Sequence, residues 1–178
     1  MFTIGDWVIY RAEGVCRISD IRAESFGAVG NAATYYILTP AQDTKTTLFV
    51  PVDNPQLVGM MRPLLSAGEI VALAEELRES RMEWIPESRA RSNRFREILA
   101  VGDRRELVIM VNTLREALEQ AAAKGKKGTG TDEASLHRAA KLLLSEFAAT
   151  TDLATEAELL EVLSGERIPN PRALEQSV

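Results

Sequence analysis

Cysteine and histidine are nearly absent from this 178-residue chain, which has one of each, Cys16 and His137. A lone Cys16 has no internal partner for a disulfide, and it suits a reducing compartment. One cysteine and one histidine far apart in sequence do not make a Cys/His zinc site. No apolar run approaches the roughly 18 residues that span a bilayer, so no membrane association is expected. The N-terminus, Met-Phe-Thr-Ile-Gly-Asp-Trp, lacks the basic and apolar regions of a signal peptide. A cytoplasmic location is the resulting expectation. The glutamates and aspartates have no nucleophile or metal cluster beside them, and the glycines around Lys124, Lys126 and Lys127 do not spell a phosphate-binding Gly-Lys-Ser/Thr loop. No catalytic residue, cofactor or metal is therefore expected, and an unrecognised hydrolase or transferase is the least favoured reading.

Positive charge is also scarce overall, with a net charge of −5. Its distribution is uneven. Residues 81–105 carry seven arginines against four acids, while residues 128–178 carry nine acids against four bases. An acidic molecule with a basic patch should bind nucleic acid weakly alone and need a second anchor.

The patch coincides with the most distinctive stretch, Met82 to Arg96, which holds one of the two tryptophans. Pro86 suits a first helical turn. At about 100° per residue, Phe95, Ile98 and Leu99 share one stripe, which Trp84, Ser88 and Arg91 continue toward the N-terminus. The spacing predicts a helix whose C-terminal half docks on a core while its N-terminal half, Trp84 included, faces a partner. An aromatic beside guanidinium groups is a common means of holding a nucleic-acid backbone and wedging or stacking on bases. The residues leave open a second reading, a protein-interaction adaptor with Trp84 buried and the arginines on an acidic protein.

Ahead of this stretch the chain reads as short strands. Residues 2–10, 15–21, 34–39 and 46–52 are alternating or β-branched and aromatic, and a fifth short strand is expected near 54–61. Residues 27–33 read as a turn or hairpin loop. Behind it, helices are marked by capping boxes at Ser66–Glu69 and Thr155–Glu158, by Asp103 opening a helix with Leu107, Val108, Val111, Leu114 and Leu118 inward, and by Asp132 as the cap of another. That last helix should turn Leu136, Ala139, Ala140, Leu143, Leu144 and Phe147 inward. A flexible loop is expected at 124–130 and a mobile tail at the C-terminus. The fold class is α+β: an SH3/Tudor-like small β-barrel (1–62), an all-α helical bundle (63–165) and a flexible tail (166–178).

One family gathers these features. Phe2-x-x-Gly5-Asp6-x-Val8-x-Tyr10, Gly14-Val15-x-x-Ile18, Tyr35-Tyr36-x-Leu38 and Val50-Pro51-Val52-Asp53-Asn54, with Gly59 and Arg62, resemble the N-terminal module of CarD/CdnL-type bacterial transcription factors. The same module is the RNA-polymerase-interaction domain of the transcription-repair coupling factor. Further on, Trp84 and the arginines, Gly102-Asp103, Glu106-Leu107, Asp132-Glu133, Ala139, Leu143 and Glu146-Phe147-Ala148 are similar to the helical half of that family.

The resemblance implies a non-enzymatic transcription regulator. It implies a module docking on the RNA polymerase β subunit at its lobe/protrusion, here through Arg22, Thr47, Phe49 and Pro51. It implies helices that contact promoter DNA, largely independently of sequence, at the upstream edge of the transcription bubble. Trp84 would be the wedge, with Arg89, Arg91, Arg94 and Lys126 as DNA contacts. A monomer, nucleoid-associated through the polymerase, is expected. The chain departs from the pattern in three places. Ile85 to Ser88 separate Trp84 from the arginines, Arg11-Ala12-Glu13 follows Tyr10, and Phe49 stands where many members carry a basic residue. The last change implies a polymerase contact that is more apolar or that lies elsewhere on the strand.

Overall fold

The structure is a computed structural model that describes residues 1–26 and 32–172. It divides into two compact units, Met1–Leu64 and Leu65–Val178, and the fold class is α+β.

Among the described residues, the first unit holds one antiparallel sheet of five strands: β1 (Trp7–Tyr10), β2 (Val15–Glu24), β3 (Ala33–Pro40), β4 (Leu48–Pro51) and β5 (Met61–Pro63). Their spatial order is β4-β3-β2-β1-β5. Gly14 has φ +75° and ψ −139°, a conformation open to glycine alone, and it closes the turn between β1 and β2. The pairing of β2 with β3 shifts register between Ile18 and Asp20. This bulge at Ser19 resets the alternation, so Cys16 and Ile18 point to the core, and so does Ile21 three residues later. Val8, Tyr10, Cys16, Ile18, Tyr36, Leu38, Val50 and Met61 form that core. The fifth strand expected near 54–61 is present as β5, starting at Met61, and the residues before it form a helical turn, α1 (Pro55–Val58). Asn54 accepts hydrogen bonds from the Gln56 and Leu57 N–H groups, and Pro55 occupies the first helical position. An Asn-Pro pair is a helix start rather than a strand. Of the turn expected at 27–33, residues 27–31 lie outside the described residues.

The second unit contains α2 (Ala67–Leu77), α3 (Ser88–Val101), α4 (Arg104–Ala123), α5 (Gly130–Phe147) and α6 (Glu156–Ser164). Both capping boxes form, Ser66 with Glu69 and Thr155 with Glu158. The apolar stripes meet in one core. Ile70, Leu73 and Leu77 of α2, Phe95 and Ile98 of α3, Leu107, Val111 and Leu114 of α4, and Leu143 and Phe147 of α5 are all buried in it. Met110 is fully buried as well. Thr129, not Asp132, is the N-cap of α5; its hydroxyl accepts from the Asp132 N–H, and Asp132 sits in the first turn. No helix among the described residues is long and apolar enough to cross a membrane.

Residues 166–172, expected within a mobile tail, have fixed partners. The Asp152 N–H donates to Asn170 O at 3.0 Å and the Arg172 N–H to Thr150 O at 2.7 Å. Arg167 pairs with Glu158 at 2.8 Å and Asp152 at 3.4 Å. Backbone and charge anchoring without helical periodicity leaves no pattern in a sequence. Residues 173–178 lie outside the described residues.

Cys16 is fully buried. Burial, with Glu13 adding to it, pushes its thiol up to about 12, so the nucleophilic thiolate is scarce at neutral pH. Native protein should resist alkylation by iodoacetamide at pH 8, and labelling should track denaturant unfolding of the first unit. Rapid labelling of the native chain, followed by mass spectrometry, would contradict this packing.

Candidate functional site

Trp84 lies in the segment between α2 and α3 that has no regular secondary structure, not on a helix. Pro86 disfavours helix at the residue before it. The helix α3 starts later, capped by the Glu87 carboxylate, which accepts from the Arg89 and Ala90 N–H groups at 2.9 and 2.6 Å. Those two donors hold the Glu87 carboxyl below its usual range.

The indole of Trp84 is 40% exposed. Against its face lies the Arg91 guanidinium, 4.4 Å from the ring centroid, a cation–π contact. Arg91 is only 5% exposed. Its Nε and Nη2 donate to the two carboxylate oxygens of Asp132 at 3.0 and 2.9 Å. Its Nη1 donates to the carbonyls of Ile85 and Pro86 at 2.8 and 3.2 Å. The Thr129 hydroxyl donates to Asp132 at 2.7 Å. One guanidinium thus ties together the segment carrying Trp84, the first turns of α3 and the N-terminus of α5. Burial pushes the Asp132 carboxyl up, but the hydrogen bonds from Arg91 and Thr129 and the Arg91 charge outweigh it and leave it lowered.

The other predicted contacts fare unequally. Arg91 has its donors committed to buried partners, so it is a strut under Trp84 and not an available phosphate contact. Arg94 is engaged by Glu106 at 3.1 Å and by Glu97 at 3.5 Å. Arg89 is exposed, and its side chain has no acidic partner among the described residues. Lys126 is exposed and shares the walls of two grooves with Trp84, of about 350 and 250 Å³. Its backbone is held more firmly than a flexible loop would allow. Gly125 at φ +66° ends α4, with the Gly125 N–H on Ala122 O and the Lys126 N–H on Ala121 O, both at 2.9 Å, a Schellman cap. Gly128 then packs on Leu118; a Cβ there would lie 2.2 Å from Leu118 Cδ2. Lys124 and Lys127 also line these grooves.

The basic patch of residues 81–105 is largely neutralised by acids distant in sequence. Arg81 pairs with Glu116 at 2.6 Å and Arg104 with Glu146 at 2.9 Å. Arg105 pairs with Glu76. Among the described residues, Arg89 and Arg96 have no acidic partner, and Arg96 donates to Asn93.

In the first unit, Phe49 stands on β4, an end strand of the sheet, and is 36% exposed. It meets Phe26 and Tyr35 edge-to-face, with Phe26–Phe49 and Phe26–Tyr35 centroids 4.9 and 5.3 Å apart. Pro51 pairs with Tyr35 across the β3–β4 ladder, and Thr47 is exposed just before β4. Arg22, opposite Tyr35 in the β2–β3 ladder, donates to Glu24 and Asp20 at 2.6 and 2.9 Å. Sequence reasoning missed Phe26 and Tyr35. The doublet Tyr35-Tyr36 was the available signal, since a strand sends adjacent side chains to opposite faces.

Among the described residues, no group of three His, Cys, Asp or Glu is placed to hold a metal ion.

Removing one member of the buried Arg91–Asp132 pair leaves an uncompensated charge, so Asp132→Asn should destabilise the second unit by about 3 kcal/mol. It should also red-shift Trp84 emission, read in a Trp7→Phe background. A lowered carboxylate pKa contributes stability that is complete above its unfolded value near 3.9. That stability is lost as pH falls through the folded value. Acidification below about pH 4 should therefore shift Trp84 emission in the Asp132 protein and not in Asp132→Asn. Equal titrations of the two would contradict the strut.

Residues 2–65 match the family model described as CarD-like/TRCF RID domain. No curated protein matches the chain. The match spans the five strands and α1, and it is to a protein-interaction module rather than a catalytic one, with RNA polymerase as its class of partner. Over residues 2–65, the N-terminal unit of this chain is similar to the CarD-like/TRCF RID domain.

Proposed function

We propose that this chain is a two-module transcription regulator that stabilises the promoter open complex. The first unit, a Tudor-like module in this reading, docks on the lobe/protrusion of a bacterial RNA polymerase β subunit. It does so through the β4 edge and the ring cluster of Phe26, Tyr35 and Phe49. An end strand offers unpaired backbone groups to a partner strand, and the rings supply apolar area beside it. The second unit carries Trp84 to the upstream edge of the bubble. There the indole wedges at the minor groove at a cost of roughly a few kcal/mol of unstacking. Lys126 and Arg89 contact phosphate; Arg91 holds the wedge. Such contacts read no sequence, so many promoters are served. The observation that carries this reading is a half-exposed tryptophan braced by a buried ion pair, in the same chain as a RID-type module.

A second reading, the adaptor without DNA contact, draws on the neutralisation of most of the arginine patch. The exposed Trp84 and the lysines beside it, which have no acidic partner among the described residues, favour the first.

Calorimetry of the full chain with a purified β-lobe fragment tests the anchor. Saturable 1:1 binding is expected, weakened at least tenfold, about 1.4 kcal/mol, by Phe49→Asp. Absence of binding by the folded wild-type chain, or indifference to Phe49→Asp, would contradict the proposed docking.

A further inference from the structure

The grooves beside Trp84 continue past it. The lysine-lined groove of about 250 Å³ and its neighbour of about 350 Å³ share Trp84, Ala117, Ala121 and Lys126 as walls. The neighbour shares Arg81 and Glu116 with a third groove of about 300 Å³, lined also by Arg78, Asn112, Arg115 and Ser164. Residues of α4 line all three. From Arg115 to Lys124 that helix advances about 13 Å.

Arg78 is the C-cap residue of α2. Its guanidinium packs on Gly165, where a Cβ would lie 2.3 Å from Nη2. Its Nε is buried with no hydrogen-bond partner, and no acid pairs with it among the described residues. Arg115 reaches Glu119 only at 3.8 Å, and the Glu119 side chain is 71% exposed. Its Nη1 donates weakly to Leu160 O at 3.4 Å. Two guanidiniums therefore line one groove with donors to spare. A buried donor without a partner is costly, and an anion removes that cost.

We infer that this third groove is a phosphate-binding site and that the three grooves form one track for a nucleic-acid strand along α4. Lys126 and Lys127 mark one end, Arg78 and Arg115 the other, and Trp84 lies between. The inference rests on the proposed DNA contact of the second unit and adds a set of contacts on the far side of the wedge. Glu116 does not repel phosphates fully, because Arg81 at 2.6 Å and the Gln120 amide at 3.1 Å engage it. Glu79 and Glu119 also line the third groove. They keep its affinity for a free anion low, so it serves a strand already held at Trp84.

The test is fluorescence anisotropy of the full-length chain on a labelled forked duplex, with the salt dependence of binding read between about 30 and 200 mM. Each lost phosphate contact should reduce the log–log slope by about 0.7 to 0.9. Arg78→Gln and Arg115→Gln should each show that reduction, and Arg78→Lys should retain the wild-type slope. Trp84→Ala should weaken binding at every salt concentration with its slope unchanged. Should Arg78→Gln unfold, Arg115→Gln and Arg78→Lys carry the same test. Wild-type slopes in the folded glutamine variants would overturn the track while leaving the Trp84 contact intact. No binding by the wild-type chain at the lowest salt would overturn both.

Discussion

The buried pair of Arg91 and Asp132 is the interaction on which the presentation of Trp84 depends. Buried ion pairs contribute little net stability, because desolvation offsets their attraction. Their use is specification. Arg91 has one position from which it can meet Asp132 with two nitrogens, two carbonyls with a third, and the indole with its face. Satisfying all of these fixes α3, α5 and the segment between α2 and α3 relative to one another. The tryptophan is then exposed without being loose. Thr129 extends the same network into the cap of α5, and the Schellman cap of α4 sets the lysines beside the indole. A wedge that must insert into a base step gains from such preorganisation, since little side-chain freedom remains to be lost on contact.

Electrostatics divides the work between the two units. A chain of net charge −5 whose arginines are mostly cross-paired has few cations to give to phosphate. Its intrinsic attraction to DNA is accordingly weak. In the proposed function, a RID-type module docked on the polymerase would raise the local concentration of the second unit at the promoter, converting a weak contact into an effective one. The surface proposed for that contact in the first unit suits the role. Its outer face carries rings, and its one predicted cation, Arg22, is held between Asp20 and Glu24. The proposed docking there would draw on apolar area and strand-edge hydrogen bonds more than on charge.

Much of the architecture was legible in the sequence because its signals are local. Capping boxes placed the starts of α2 and α6, and the periodic leucines of α4 gave its buried face. The resemblance to the CarD-type module was carried by ordered residues within 2–62, inside the stretch that the family model matches. What escaped was non-local. The partner of Arg91 is 41 residues away, so a guanidinium on the predicted stripe looked available for DNA when it is buried. The aromatic cluster needs the β2, β3 and β4 registers to bring Phe26, Tyr35 and Phe49 together. Pro86 was compatible with a helix start two residues too early, because the Glu87 cap depends on side-chain geometry that propensity does not encode. The anchored stretch 166–172 is held by charge and backbone pairing rather than by an apolar pattern.

The central claim is that Trp84 slows collapse of the unwound promoter while the first unit keeps the chain on the polymerase. Its most direct test is the lifetime of polymerase–promoter open complexes after competitor challenge, measured with the wild-type chain and with Trp84→Ala. The account predicts a longer lifetime with wild type and none of that gain with Trp84→Ala, which should still bind the β-lobe fragment as wild type does. An equal gain from both proteins would contradict it.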